Sequence, residues 1–583
     1  MASGRRTSAS DGERSRRGRA SYDAAETGGS FISGRMAFVL VLFLFAALAF
    51  VGRLVYLQVI VADEYSEEAR SARSVDIPIT PKRGTIYDRN GRVLATSVEA
   101  TTVYCNPNEI EDANAAATTI AQALGGKKED YLEPLTRADT AFAYLKRQAD
   151  VEQADKLRAA EVPGVYFVSD TKRVYPNGSA AGQIIGIVNI DGEGLTGLEN
   201  YYNDILAGQP GSLHMEQGLT GIPINGTVQT TAAVPGKDIT ISIDIDLQQK
   251  LEKTVVAMAK EMKAASGQSV VLDGATGEIL AIASSPLLDP TNTETIEERA
   301  AECQCITRAF EPGSIFKSVT MLAALENKAI TPADSFYCPN LLPADEYYVS
   351  DAHERENETM TATQILVRSS NVGMSLIAKR MGFDKLNDAI STYRLDARLT
   401  GVDYPGESAG YLLDFSEWSR IQGYNISFGQ GISETPLQMA RFYAALANDG
   451  VSCQPHFLLS RGDGQEVSWK SETIVKDADA LKKLIEMLKL VVEEGTGTGA
   501  QIPGFAVAGK TGTAEYVDEE HRDQGYVLDH YNNSFVGFLP DTDSKLVCFV
   551  GATEVPSETA TTEVFQDIMA YAIERYNINS IQE

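Results

Sequence analysis

Ser314 and Lys317 stand three positions apart in Ser314-Ile-Phe-Lys317, and an apolar series at Phe316, Val319, Leu322 and Leu325 marks a helix with one buried face. At that spacing the two side chains share a face of the first turn, so the amine can reach the hydroxyl. A serine hydroxyl is a poor nucleophile until a base takes its proton, and a lysine can act as that base only if its pKa is lowered. A helix N-terminus, burial and a second nearby cation all lower it. Lys510, in Lys510-Thr-Gly512 after the strand-like Phe505-Ala-Val-Ala508-Gly509, is the candidate second cation. Ser369-Ser-Asn371 falls at a break between helical stretches, where a loop can present the Ser369 hydroxyl and the Asn371 amide to both lysines and a substrate. Acyl transfer passes through a tetrahedral oxyanion, for which the backbone N–H groups of Ser314 and Thr513 are the expected donors. Thr511 adds a hydroxyl, and Gly512 is expected to let a substrate backbone approach the strand edge. Together these residues predict serine acyl transfer that uses lysines instead of histidine.

Each string also has a plain structural reading: Ser314 as an N-cap, Ser369 to Asn371 as a helix stop, Lys510 to Gly512 as a turn. Ser169-Asp-Thr-Lys172 satisfies S-x-x-K as well, with nothing near it that supports chemistry. Order and surroundings give the C-terminal set its weight. Gly192-Glu-Gly-Leu-Thr-Gly197 matches a dinucleotide fingerprint, but Glu193 would sit inside the phosphate cradle and no βαβ repeat surrounds it, so a Gly-rich turn is expected. Gly406-Glu-Ser-Ala-Gly410 matches an esterase elbow, yet Pro405 precedes it where a buried strand should end, so it reads as a loop. Five scattered histidines and no close Cys/His spacing give a metal site no support, and no cofactor is expected.

The elements that must position these residues are α+β. Arg83 to Ala95 combines a strand-like Thr-Ile-Tyr with Asp-Arg-Asn-Gly and reads as a β-hairpin. Residues from about 109 to 160 carry helical spacing, and strand-like runs return at Gly164 to Val168 and Ile184 to Val188. Pro235-Gly-Lys-Asp238 is a turn cluster and marks the main boundary. Beyond it, Ile239 to Ile245 is strand-like, Leu247 to Ala265 helical, and Gln268 to Leu272 and Glu278 to Ala283 are paired strands. Strands at Ser534 to Phe538 and Lys545 to Gly551 and a closing helix near Thr562 to Tyr576 complete a domain in which an antiparallel sheet is flanked by helices.

Residues 1 to 35 hold seven Arg and four acids among Ser and Gly and read as a disordered basic tail. Met36 to Gly52 is an uncharged, mostly apolar run, continued past Arg53 to Val61, long enough to span a bilayer core of about 20 residues. Arg53 lies near the far interface, where its side chain can snorkel. Arginines before the run and Asp63, Glu64, Glu67 and Glu68 after it place the tail in the cytoplasm and the rest outside. The rival reading is a cleaved signal peptide with Ala47-Leu-Ala49 as its cleavage site, against which stand the long tail and the long apolar run. The formal charge of −29 includes +3 on the tail and +1 at Arg53, which leaves −33 on residues 62 to 583. Such an acidic body excludes nucleic acid as a partner. Six cysteines are too few for a disulfide framework, although Cys303, Cys305 and Cys338 bracket the Ser314 region and could pair once exported.

The three strings are those of the penicillin-binding proteins, and the chain resembles the class B family over nearly its whole length. Arg83-Gly-Thr-Ile-Tyr-Asp-Arg-Asn-Gly91 resembles the family's juxtamembrane motif, and Arg173-Val-Tyr-Pro176 with Gly194-Leu-Thr-Gly-Leu-Glu199 its pedestal motifs. Glu311-Pro-Gly-Ser314, Asn425-Ile-Ser-Phe-Gly-Gln-Gly431 and Thr435-Pro-Leu-Gln438 resemble its transpeptidase domain. The resemblance implies a basic cytoplasmic tail (1–35), a transmembrane helix (36–61), a dimerisation-like pedestal (62–235) and a penicillin-binding transpeptidase domain (236–583). It implies D,D-transpeptidation of peptidoglycan stem peptides, with Ser314 acylated, Lys317 its base, Ser369 and Asn371 the second motif, and Lys510, Thr511, Gly512 and Thr513 the substrate-binding strand. β-Lactams would trap the same serine. The phrasing from Asn425 to Gln438 and the length look like the septal, division-specific subgroup, which implies a membrane polymerase partner of the SEDS type, since no glycosyltransferase domain is found. The rivals are a carboxypeptidase or β-lactamase, in which water resolves the acyl-enzyme, and a non-catalytic division scaffold.

Overall fold

The structure, a computed structural model, describes residues 34–63, 65, 74–138, 140–216, 229–517 and 526–580. The basic tail up to residue 33 lies outside them. Two compact units divide the chain, Met1–Ser74 and Val75–Glu583. In the first, α1 (Gly34–Val55) continues through one wider turn to Ile60. Met36–Ile60 is long and apolar enough to cross a membrane. From Met36 to Tyr56 its apolar side chains are exposed all round, as suits a helix with no core of its own. The guanidinium of Arg53 stacks over the Tyr56 ring, 5.2 Å from its centroid.

The second unit begins with the expected hairpin, β1 (Ile86–Tyr87) and β2 (Val93–Cys105). Its turn closes because the Asp88 carboxylate accepts from the backbone N–H groups of Asn90 and Arg92, both at 2.8 Å. The long β2 pairs with β3 (Ala143–Ala149) and β4 (Val165–Val174), and α2 (Ala113–Leu124) buries Ala116, Ala117, Ile120 and Leu124 in the core behind them. β5 (Ile239–Ile241) runs parallel to β1 and antiparallel to Leu458–Arg461, so one sheet takes strands from both sides of the Pro235 turn. Arg83 and Arg173 converge on the buried Glu199 carboxylate. Arg83 also donates to the Gly192 carbonyl at 2.9 Å, so the Gly192 to Gly197 loop is bound by the fold's own arginine.

One expected strand is corrected. Gly182–Ile185 forms a helical turn, and Val188 makes only an isolated bridge to Gly194. Ala180, Ala181, Ile184 and Ile185 are buried on every side. A short apolar run of that kind has no periodicity that separates strand from helix.

Five antiparallel strands form the second sheet. α3 (Ile245–Met262), N-capped by Asp244, leads to β6 (Ser266–Asp273) and β7 (Ile279–Ser284). The helical middle contributes α4 (Lys317–Glu326), α5 (Ala362–Val367), α6 (Asn371–Met381), α7 (Pro436–Ala447) and α8 (Ala478–Glu493). β8 (Ala508–Val517), β9 (Tyr526–Phe538), β10 (Leu546–Val555) and α9 (Thr562–Tyr576) close the chain. The order β7-β6-β10-β9-β8 puts strands from both ends of the domain side by side and leaves β8 at the edge. Alternate side chains go to opposite faces. Val271, Cys548, Val550 and Phe535 join Leu251, Val255, Phe565 and Ile568 of α3 and α9. Val270, Leu272, Val547, Phe549 and Val536 join Phe316, Val319, Leu322, Phe442 and Tyr443 on the other face. All six cysteines are free, and Cys303, Cys305 and Cys338 are buried thiols.

Phe565, fully buried with its ring edge-on to Phe535 at 4.7 Å, holds α9 to the sheet face remote from Ser314. Phe565→Ala is expected to cost about 3–5 kcal/mol. Chemical denaturation of the body should show that loss, while the geometry around Ser314 stays intact in the folded fraction.

Candidate active site

Ser314 sits on a 3₁₀ turn, Gly313–Phe316, and the α-helix proper starts at Lys317. The expected helix opening at Ser314 is thus a tighter turn, pressed against the edge strand β8. Two glycines permit the contact. Gly313 has φ +54°, and a Cβ there would lie 2.8 Å from the Thr513 carbonyl oxygen. A Cβ on Gly512 would lie 2.3 Å from Ser534 Oγ and 3.0 Å from the Pro312 carbonyl oxygen. Where Gly512 lacks a side chain, Ser534 and the turn at Pro312 pack against the strand.

Lys317 and Lys510 are both fully buried. Lys317 Nζ contacts Ser314 Oγ at 3.0 Å and Ser369 Oγ at 3.2 Å, and donates a short hydrogen bond to the Ser369 carbonyl. Lys510 Nζ reaches the same Ser369 Oγ at 3.0 Å and the Thr511 carbonyl at 3.0 Å. The Thr511 hydroxyl lies 3.3 Å from Lys510 Nζ and 2.6 Å from the Thr496 hydroxyl. Segments almost 200 residues apart in the chain therefore meet as one line, Ser314–Lys317–Ser369–Lys510. Ser369 takes a left-handed backbone, φ +58°, which places its carbonyl and hydroxyl against the same amine.

Burial lowers the Lys317 pKa to about 7, opposed by the Asp351 carboxylate. Lys510 is driven well below the ordinary lysine value by burial first and by Lys317 second. Of the three expected causes, burial is the main one for both amines, and the charge of one lysine on the other acts on Lys510; two buried ammonium groups bridged by one hydroxyl cannot both stay charged.

The structure thus brings Ser314, Lys317, Ser369, Lys510 and Thr511 into contact, with Gly512 and Thr513 beside the turn. Asn371 departs from the expectation. It opens α6, and its amide donates to the Ser350 carbonyl at 3.0 Å instead of turning to the lysines. Asp351, beside that strand end, went unnoticed in the sequence. Its carboxylate accepts from Ser370 Oγ at 2.8 Å and Val372 N at 2.9 Å and pairs with Arg355. Nineteen residues separate it from Ser370, and no local pattern marks the pairing. Tyr443 was also missed: its hydroxyl donates to the Ile315 carbonyl at 2.9 Å and lies 2.7 Å from Ser318 Oγ, bracing the turn from α7. Glu311 accepts from the Gly431 backbone N–H at 2.9 Å and ties the Asn425 to Gly431 segment to the same turn. A cavity of about 320 Å³ beyond Glu311 is lined by Arg308, Tyr411, Glu515 and Tyr526 and by none of the clustered residues, so the cluster lies at the β8 edge and not in that cavity. Among the described residues no group of His, Cys, Asp or Glu could hold a metal.

A partly exposed serine hydroxyl against a buried lysine, beside an edge strand with a second buried lysine, defines a serine acyl-transfer type of site, one that works without histidine. Comparison places it in a family. Residues 267–570 match the penicillin binding protein transpeptidase domain and residues 78–241 the penicillin-binding protein dimerisation domain. The probable peptidoglycan D,D-transpeptidase PbpC of Pseudomonas aeruginosa is 33% identical over 92% of this chain and 94% of its own length. The peptidoglycan D,D-transpeptidase FtsI of Escherichia coli is 31% identical over 85% and 83%. The crystal structure of penicillin binding protein 3 from Mycobacterium tuberculosis, complexed with aztreonam, superimposes with a TM-score of 0.66 at 26% identity, over 86% of this chain and 97% of that one. The chain belongs to the class B penicillin-binding proteins.

Gly512→Ala tests the contact between turn and strand. The added carbon should push Ser314 off β8 by a fraction of an ångström or more and slow labelling by a fluorescent penicillin on the order of 10²-fold. Stopped-flow fluorescence reads the rate, and wild-type kinetics in this variant would refute the packing argument.

Proposed function

We propose that this chain is a peptidoglycan D,D-transpeptidase that cross-links stem peptides through an acyl-enzyme on Ser314 during septal wall synthesis. The observation that carries the reading is the line Ser314–Lys317–Ser369–Lys510, with its two buried amines. The matching transpeptidase family and the D,D-transpeptidase names of the relatives supply the substrate class.

In its neutral form Lys317 accepts the hydroxyl proton, and Ser314 Oγ attacks the carbonyl of the penultimate D-Ala. The backbone N–H groups of Ser314 and Thr513 hold the oxyanion. The peptide C–N bond then breaks, and the terminal D-Ala leaves as an amine carrying the proton returned from Lys317. An amine of a neighbouring stem peptide attacks the ester and gives its proton to Lys317; the C–O bond to Ser314 then breaks as Lys317 returns that proton to Ser314 Oγ, which restores the free hydroxyl and the neutral amine. Ser369 relays charge between the two lysines, and Lys510, Thr511 and Gly512 form the strand along which the substrate lies. Asn371 enters the site through the strand it holds at Ser350. A β-lactam acylates Ser314 in the same way but leaves no departing fragment to make room for the acceptor.

Residues 236–583 form the catalytic domain in this reading, 62–235 the pedestal and 36–61 a single-pass membrane anchor with the basic tail (1–35) in the cytoplasm. The arginines before the anchor and the acidic body after it support that orientation. The septal assignment rests on the phrasing from Asn425 to Gln438. A SEDS-type polymerase partner follows by analogy with the family.

Mass spectrometry of the penicillin-treated protein is expected to locate the adduct on the peptide containing Ser314. An adduct elsewhere overturns the reading, and rapid loss of the label points to a hydrolase. Lys317→Ala should slow acylation by roughly 10²–10⁴-fold with the fold intact, as loss of a general base does. The pH dependence has a definite sign: because the base must be neutral, the acylation rate is steady above about pH 7 and falls about tenfold per unit below it, as Lys317 protonates. A rate independent of pH between 5 and 8 would remove Lys317 from that role.

A further inference from the structure

Asp351 has no part in the reaction as derived, yet four contacts converge on it. Its carboxylate accepts from Ser370 Oγ at 2.8 and 3.0 Å and from Val372 N at 2.9 Å, and it pairs with Arg355. Ser370 in turn N-caps α6 by accepting from Gly373 N at 2.9 Å. One residue earlier, Ser369 holds the left-handed backbone that turns its carbonyl and hydroxyl toward Lys317. On the other side, the Ser350 carbonyl accepts from Asn371. Asp351 and Ser350 thus hold the turn from Ser370 through Val372, directly after Ser369. The side chain of Asp351 is 11% exposed and that of Arg355 17%, so their charges act through protein more than through water.

We propose that Asp351, held by Arg355, is a positioning residue for acylation: it clamps the turn that presents Ser369 and supplies the counter-charge for the ammonium form of Lys317. The proposal rests on the acyl-enzyme reading given above. The titratable groups around Lys317 are Lys510 on β8, Tyr443 on α7 and Asp351 with Arg355. Burial and Lys317 itself push Lys510 toward its neutral form, and burial pushes the Tyr443 hydroxyl further from titration. Asp351 is therefore the anion that favours protonated Lys317, and it opposes the effect of burial. Arg355 neutralises part of that anion.

These roles give two variants opposite signs. Asp351→Asn removes the anion, so the pH midpoint of the acylation rate should move down, by about one pH unit, as is typical for loss of one nearby charge. Arg355→Gln bares the anion, and the midpoint should move up. In the double variant the Arg355 change should add little to the shift of Asp351→Asn, because its effect passes through Asp351. Rates of penicillin acylation of the full chain in detergent, measured between pH 5 and 9, give the midpoints, and mass spectrometry confirms that Ser314 carries the label. A merely structural role would lower stability or the plateau rate in both variants without moving the midpoints. Unmoved midpoints, or two shifts of the same sign, overturn the proposal. If Asp351→Asn does not fold, Arg355→Gln alone decides, by an upward or an unmoved midpoint. Absence of any label on Ser314 in the wild type would instead sink the acyl-enzyme reading itself.

Discussion

Two lysine amines with almost no access to water share one serine hydroxyl, and the rest of the catalytic half is arranged around that cost. An isolated buried ammonium is expensive, and in proteins the expense is relieved by losing the proton. Among the described residues no carboxylate hydrogen-bonds to either nitrogen; their partners are hydroxyls and carbonyls. Such partners satisfy an amine's hydrogen bonds without restoring its charge. The result is an amine whose pKa burial brings down to about 7, set 3.0 Å from the Ser314 hydroxyl.

Keeping the amines dry is a task for the sheet and the helical middle together. Lys510 arrives on the edge strand, Lys317 on the first residue of α4, and Ser369 on the turn between α5 and α6. No local element could join them, so the arrangement depends on the glycine contact between the 3₁₀ turn and β8, on Tyr443 beneath the turn, and on Glu311 tying in the Gly431 segment. An edge strand is normally a liability because one row of its backbone groups lacks a partner. Here that row lies beside Ser314, where a substrate strand or an oxyanion can use it.

Much of this was legible from spacing alone. Ser314 with Lys317 could be read because the helical period says which side chains share a face; the strand-like run Phe505 to Ala508 instead leads into the strand Ala508–Val517, and Lys510 to Thr513 were placed on a strand by the resemblance. The hairpin at Asp88 to Gly91 was legible from its turn residues, and the closing helix at Thr562–Tyr576 was also legible. The sequence failed where long-range contacts decide. Asn371 looked like a group aimed at the lysines, and only the Tyr347–Ser350 strand, packed beside it, shows where its amide goes. The close packing of Gly512 against Ser534 and the Pro312 turn joins segments far apart in the chain, and nothing local announces it. Asp351 carried no signal, since an aspartate in a loop is ordinary until its distant partners are known. The run from Ile184 to Val188 misled because complete burial erases periodicity.

The pedestal buries charge as well, and to the opposite end. Arg83 and Arg173 meet Glu199 in the interior, with further acceptors at the Gly192 and Gly84 carbonyls. Burial lowers the Arg83 pKa, yet a guanidinium begins so high that it stays charged, and its planar fork ties the Gly192 loop to the helical turns that carry Glu199 and Asn203. Lysine in that place would be free to discharge and release its partners; arginine at 317 or 510 could never become a base. The same cost, desolvation of a cation, therefore yields an anchor in one half of the chain and a reactive amine in the other. The residue type decides which, and the motif spacing that separates the two halves is what keeps the roles apart.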